Sequence, residues 1–237
     1  MWADLFPAEF ERRLATAPIA YLPVGSLEWH SHHLPYGVDT YKAEAVAERL
    51  ALRCGGIVVP ATPWGAMHGS WRLGTHPGLS RPILERFYTE VMDGLAEVGF
   101  RVIVAISGHW TSRQTQPLRV ALDAVSRARA VTGLVTFDGA DPYDGVDAHP
   151  DLGMDHAGAW ETSIFAHLQP DLVRLERLLD VDLSDLPGEE CHLTASGIQG
   201  YDPSGMTDPE RGRRHVDRIV DVLADRTLDL LRDVKTA

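Results

Sequence analysis

The segment Arg101-Val-Ile-Val-Ala-Ile-Ser107 restricts the possible architectures more than any other stretch of the 237-residue chain. Side chains of a strand point alternately to its two faces, so a run without polar alternation has both faces covered. Its β-branched residues favour extended backbone. The run therefore predicts a central strand of a parallel sheet, with helices packed above and below.

The rest of the chain has the same rhythm of strand followed by helix. Strands are expected over Ala20–Ser26, Ile57–Pro60 and Leu134–Asp138. A helix over Asp39–Cys54 has Val46 and Leu50 one turn apart and stops at Gly55-Gly56. Ser80 caps a helix to about Val98, with Ile83, Phe87, Val91 and Leu95 as its inner stripe and Gly99 as its end. Further helices are expected over Thr115–Ala130, from Asp155 through Ser163, and after a capping box at Thr207-Asp-Pro-Glu210, with Val216, Val220, Leu223 and Leu230 facing inward. Residues 61–79 and 139–154 carry no period and read as long active-site loops, while 171–206 reads as an insertion over the site. There is no internal repeat, and one domain is expected across 1–237.

Hydrophobic residues make up 44% of the chain, enough for a sizeable core. The net charge of −12 and a pI near 5.3, without any block of Lys or Arg, exclude a nucleic-acid surface or an anionic membrane as the expected partner. No apolar run approaches eighteen residues and no basic leader precedes one, so a soluble, cytoplasmic protein is expected. Cys54 and Cys191 are far apart in sequence, which indicates neither a disulfide framework nor a thiolate site. No Gly-x-Gly-x-x-Gly or Walker sequence follows a strand, and Gly-x-Ser-x-Gly is absent, so neither a nucleotide cofactor nor a nucleophilic serine is predicted.

Chemistry concentrates just after the first strand, where Glu28, His30, His32, His33 and Asp39 fall within twelve residues. Glu28 and His30 are two apart and leave the strand on the same side, as a mixed carboxylate and imidazole set for Zn²⁺ or Mn²⁺. A solvated histidine loop is the alternative for this segment taken alone. Recurrence argues against it, because His109 and the Asp138–His156–Glu161 segment also follow strands. All strands of a parallel sheet present their C-terminal ends on one side, so these groups should meet. Glu28, His30, Asp39, His109 and Glu161 form a set of the size two divalent ions need, with Asp39 able to bridge ions about 3.5–4 Å apart.

The string Pro23-Val-Gly-Ser-Leu-Glu-Trp-His-Ser-His-His-Leu-Pro-Tyr-Gly-Val-Asp39 resembles the opening motif of the creatininase family, P-x-G-S-x-E-Q-H-G-P-H-L-P-x-x-x-D. Arg101–Ser107 with Gly108-His109 is similar to its second motif, and His156-Ala-Gly-Ala-Trp-Glu-Thr-Ser163 to its third, H-A-G-x-x-E-T-S. The resemblance runs over about residues 18–165 in the right order. It implies a three-layer α/β/α sandwich with a mainly parallel central sheet and two divalent ions of zinc, manganese or iron. One ion would be held by Glu28, Asp39 and His109, the other by His30, Asp39 and a second carboxylate. It also implies a homo-oligomer, commonly a hexamer, and a small-molecule substrate; the family's best-known activity opens the cyclic amide of creatinine.

Two departures from the motifs matter. Many family members have Asn-Gly-His-Gly-Gly-Asn, and creatininase itself has a Glu two residues after the His, where this chain reads Ser107-Gly-His-Trp-Thr-Ser112. Thr111 offers no carboxylate, which makes Glu161 the natural fifth ligand by the third motif. Trp29 and Ser31 replace the common Gln and Gly.

His156 is expected as a general acid/base, since imidazole titrates near neutrality, and Glu161 as a catalytic group beside it. His33 is read as orienting a ligand or capping structure, and His32 as exposed. His68 and His76 contact substrate or are solvated loop histidines. Trp29, Trp110, Trp160 and Trp71 line a pocket for a flat, partly apolar substrate or simply pack. Asp138 and Asp155 neutralise neighbours or cap turns. The function expected is a dinuclear amidohydrolase acting on a non-peptide, cyclic amide C–N bond. A peptidase or deformylase in cofactor maturation, a cyclic keto-sugar hydrolase and a metal-binding scaffold without activity remain open.

Overall fold

The computed structural model describes residues 1–67, 74–138, 155–188 and 195–236. The loop expected over 139–154 lies outside them, as do His68 and Trp71. After a short 3-10 turn at Trp2–Asp4, α1 spans Pro7–Thr16, β1 Ile19–Val24, α2 Val38–Cys54, β2 Ile57–Val58 and α3 Arg81–Val98. Then follow β3 (Val102–Ser107), α4 (Ser112–Ala128), β4 (Thr132–Phe137), α5 (Ala159–Leu168), α6 (Pro203–Met206) and α7 (Pro209–Thr236).

The strands form one parallel sheet in the order β2-β1-β3-β4, which places β3 in the interior as its apolar run requires. Ile19 pairs with Val102 and Val24 with Ser107, while Ser107 pairs with Phe137. Three strands thus end level with one another. Ile19, Tyr21, Val102, Val104 and Ile106 face α2, α5 and α7 through Val46, Leu50, Trp160, Ile164, Ile219 and Leu223. Ala20, Leu22, Val24, Ile103 and Ala105 face α3 and α4 through Leu84, Tyr88, Met92, Leu118 and Ala121. These two cores are the inner surfaces of three layers, and each buried aliphatic side chain contributes about 1.5–3 kcal/mol.

The described part of 171–206 builds a third, smaller core. Val173, Leu175, Leu178, Val181, Leu183 and Leu186 pack with Leu34, Val38, Ala157, Phe165 and Ile198. His156 is tied to the same region by paired backbone bonds with Gln199.

Several expectations are corrected. The second strand stops at Val58 rather than Pro60, since a proline has no N–H for the ladder. α4 begins earlier than expected, at Ser112, because the Thr111 hydroxyl accepts from Arg113 N–H and caps it. α5 begins at Ala159, with Asp155 serving as its cap by accepting from Trp160 N–H (2.8 Å) and Glu161 N–H (2.9 Å). At α7 the cap is Asp208, which accepts from Glu210 N–H, whereas the Thr207 hydroxyl donates back to Pro203.

The inner face of α3 is displaced by one residue. Leu84, Tyr88 and Met92 are buried along with Leu95, whereas Ile83 is 55% exposed and Phe87 38%. Leu84→Ala is therefore expected to cost about 2–5 kcal/mol. Ile83→Ala should stay within about 0.5 kcal/mol. Urea denaturation of the two variants distinguishes this face from the one the periodicity suggests.

Candidate metal centre

Glycines at two strand ends let the first turn of α2 drop onto the sheet rim. A Cβ on Gly25 would overlap Thr40, and one on Gly108 would overlap the carbonyl oxygen of Asp39. Asp39 is consequently wedged between the segment after β1 and the segment after β3. Its carboxylate lies in the first turn of α2, where the helix dipole favours an anion. Ser26 fixes it further, donating its hydroxyl to Oδ2 at 2.5 Å.

Each oxygen of Asp39 then faces a different donor group. Oδ2 lies 3.2 Å from His109 Nδ1, which is itself 3.0 Å from Glu28 Oε2. Oδ1 lies 3.3 Å from His30 Nε2, which is 3.5 Å from Glu161 Oε2. Within each trio the ligand atoms lie inside 4.8 Å of one another, and so do those of Glu28, His30 and His156. Ligands about 2.0–2.2 Å from a shared tetrahedral cation stand about 3.3–3.6 Å apart, close to the separations found here.

Tautomers follow from the acceptors. His30 Nδ1 faces the carbonyl of Glu28 at 3.0 Å, so it carries the hydrogen and leaves the Nε2 lone pair directed at the carboxylates. That Nε2 is buried and has no hydrogen-bond partner among the described residues. An orphaned imidazole nitrogen between two carboxylates fits a cation better than it fits water or solvent.

The electrostatics point the same way. Burial works against charged imidazoles, yet Glu161 and Asp39 hold His30 well above its ordinary range. Burial likewise opposes charge on His109, but Glu28 and Asp39 push it up to about 10. Burial would raise Asp39, and the same two histidines keep it low. The carboxylates that favour positive charge on these rings would favour a bound cation in the same place.

The other expected residues among those described fall as follows. His156 donates Nε2–H to the carbonyl of Trp29 (2.9 Å), stacks on His30 with ring centroids 4.3 Å apart, and has Nδ1 3.9 Å from Glu28 Oε2. His33 donates Nε2–H to the Thr162 hydroxyl (2.9 Å), next to Glu161, and burial lowers its pKa to about 3. His32 is exposed. His76 lies against Trp64 at 5.2 Å, and its backbone N–H binds the Leu27 carbonyl beside Glu28. Trp110 stacks on Trp160 (4.6 Å) and donates its indole N–H to Asp138. Trp160 is wholly buried between Trp110 and His215, so packing of the Glu161 helix, not substrate contact, is the role its position allows.

Two features of the site are not signalled by the sequence motifs. Lys42 is buried in the centre of the cluster, donating to Glu161 Oε1 and lying 3.7 Å from Asp138 Oδ2. Burial alone would lower its pKa, but Asp138, Glu161 and Asp39 raise it above the usual lysine range. Ser31 (φ 59°) and Ala157 (φ 51°) adopt left-handed backbone on either side of the site, next to His30 and His156. Strain of this kind costs about 1–3 kcal/mol and concentrates at functional sites. Ala157 N–H binds Glu161 Oε2 at 2.7 Å from this conformation.

A parallel α/β sheet with carboxylates and imidazoles gathered at its C-terminal rim suits a metal-dependent hydrolase, and the comparisons with known proteins agree. The family model for creatinine amidohydrolase matches residues 3–230, and the chain belongs to the creatininase family. Creatinine amidohydrolase of Pseudomonas putida is 31% identical over 73% of each chain. The mycofactocin precursor peptide peptidase of Mycobacterium tuberculosis is 29% identical over 87% of this chain and 83% of its own. A crystal structure of creatinine amidohydrolase superposes with a TM-score of 0.79 at 26% identity, covering 97% of this chain and 96% of that one. The structure of its form "Creatininase Mn" gives 0.78 at 25%, covering 97% of each.

Two predictions follow from the wedge at Asp39. Gly108→Ala should destabilise the protein by about 1–3 kcal/mol, since the contact is backbone to backbone. Mn²⁺ or Zn²⁺ at a hundred times its dissociation constant should stabilise the wild type by about 2.7 kcal/mol. Asp39→Asn should abolish most of that gain. Thermal melts with and without chelator measure both effects.

Proposed function

We propose that the chain is a dinuclear metal-dependent amidohydrolase that cleaves a non-peptide, cyclic amide C–N bond. The observation supporting this most is the division of Asp39, with Oδ2 turned to His109 and Glu28, and Oδ1 turned to His30 and Glu161. Those five residues would hold two zinc or manganese ions. Ions so held supply an acidified water as nucleophile and Lewis acidity toward the amide carbonyl.

The protein's own groups perform the remaining tasks. His156 is anchored through Nε2–H to Trp29, which leaves Nδ1 as the atom able to accept a proton and pass it to the departing nitrogen. The two backbone bonds to Gln199 hold this ring over the site. His33, through Thr162, keeps the first turn of α5 in register, so that Glu161 stays directed at His30. The same reading includes a cytoplasmic homo-oligomer acting on a small molecule.

A peptidase reading has independent support. The peptidase from M. tuberculosis aligns over more of this chain, 87% against 73% for the creatinine amidohydrolase. Thr111, near His109, has no carboxylate, and its hydroxyl is engaged in capping α4.

Hydrolysis of a panel of lactams, formamides and short peptides, with added Mn²⁺ or Zn²⁺, separates these readings. Turnover of a lactam supports the amidohydrolase, and turnover confined to peptides replaces it with the peptidase. His156→Ala should lower the rate by about 10²- to 10⁴-fold while the ions remain bound. Equal rates in the two proteins would remove His156 from the chemistry.

A further inference from the structure

Lys42 is a charged side chain of the site that the chemistry above does not use. It lies one turn after Asp39 on α2, with its side chain 1% exposed. A buried ammonium persists only where charged and polar groups surround it. Its Nζ donates to Glu161 Oε1, stands 3.7 Å from Asp138 Oδ2 and 3.9 Å from Asp39 Oδ1, and sits 4.5 Å from the ring centroid of Trp110.

Glu161 is thereby gripped at both oxygens. Lys42 holds Oε1, and the strained Ala157 N–H holds Oε2 at 2.7 Å. Oε2 is also the oxygen that faces His30 Nε2 at 3.5 Å. A carboxylate held at one oxygen can still turn about that contact, and a second contact on the other oxygen removes this freedom. Asp138 serves a different purpose. It accepts the indole N–H of Trp110, and so sets the plane of the ring beneath the ammonium and balances its charge.

We propose that Lys42 is a positioning residue whose bond to Oε1 orients Glu161, so that Oε2 completes the second cation site together with His30 Nε2 and Asp39 Oδ1. The proposal rests on the two-ion reading. It predicts that the first site, built from Glu28, Asp39 and His109, does not need Lys42.

The test is a Mn²⁺ titration of the full chain, followed by calorimetry and by electron paramagnetic resonance, in the wild type, Lys42→Met and Lys42→Met with Asp138→Asn. The double variant removes one charge of each sign, so it restores charge balance without restoring the grip on Glu161. In both variants the first ion should bind as in the wild type, and the second should weaken by about 10- to 100-fold. At two equivalents of Mn²⁺ the wild type should show a spin-coupled pair, and the variants the spectrum of isolated ions.

Wild-type affinity for the second ion in Lys42→Met overturns the proposal. So does recovery of that affinity in the double variant, which would mean that Lys42 only neutralises Asp138. Should Lys42→Met fail to fold, the charge-balanced variant decides in the same way. A wild type that saturates at one ion overturns the two-ion reading itself, a result visible before any variant is made.

Discussion

The structure is organised around buried negative charge that has to be balanced. Glu28, Asp39, Asp138 and Glu161 converge at one sheet rim, and the last three are almost fully buried. Unit charges 4 Å apart interact by about 4 kcal/mol at an effective dielectric constant of 20, so such a cluster cannot stand uncompensated. Lys42 supplies one positive charge. Burial nevertheless pushes Asp138 up to about 7, and burial together with Glu161 does the same to Asp155. The same carboxylates raise His30 and His109, so the site favours further positive charge where divalent cations would serve.

The fold brings these charges together by simple means. Parallel register ends β1, β3 and β4 at one level, so the residues that follow them emerge side by side. Gly25 and Gly108 permit the backbone of α2 to approach both strand ends, which inserts Asp39 between His30 and His109. α5 approaches from the other side, with Asp155 at its N-terminus and α7 packed behind it through Trp160 and His215. The site is thus mounted on strand ends and helix termini, and the left-handed turns at Ser31 and Ala157 aim His30, His156 and Glu161 inward.

Much of this was legible in the amino-acid sequence. The continuous apolar run of β3 announced a doubly covered strand, and spacing after strands picked out Glu28, His30, His109 and Glu161 as neighbours. The face of α3 was not legible in the same way. Ile83/Leu84, Phe87/Tyr88 and Val91/Met92 offer two adjacent apolar stripes, and periodicity cannot choose between stripes that are both apolar. Packing chooses Leu84, Tyr88 and Met92. Lys42 was missed for a different reason. It falls in the inward series Val38, Lys42, Val46, Leu50 of α2, and a lysine inside an apolar stripe is itself the signal of a buried ionic partner. Its partners, Glu161 and Asp138, are distant in sequence, so no local pattern identifies them.

The central claim is that Asp39 stands between two cations. Anomalous scattering from crystals of the Mn²⁺-loaded protein tests it most directly. The account predicts two peaks per chain, one beside His109 and Glu28 and one beside His30 and Glu161, with a different oxygen of Asp39 toward each. A single peak, or ions bound away from Asp39, would contradict it.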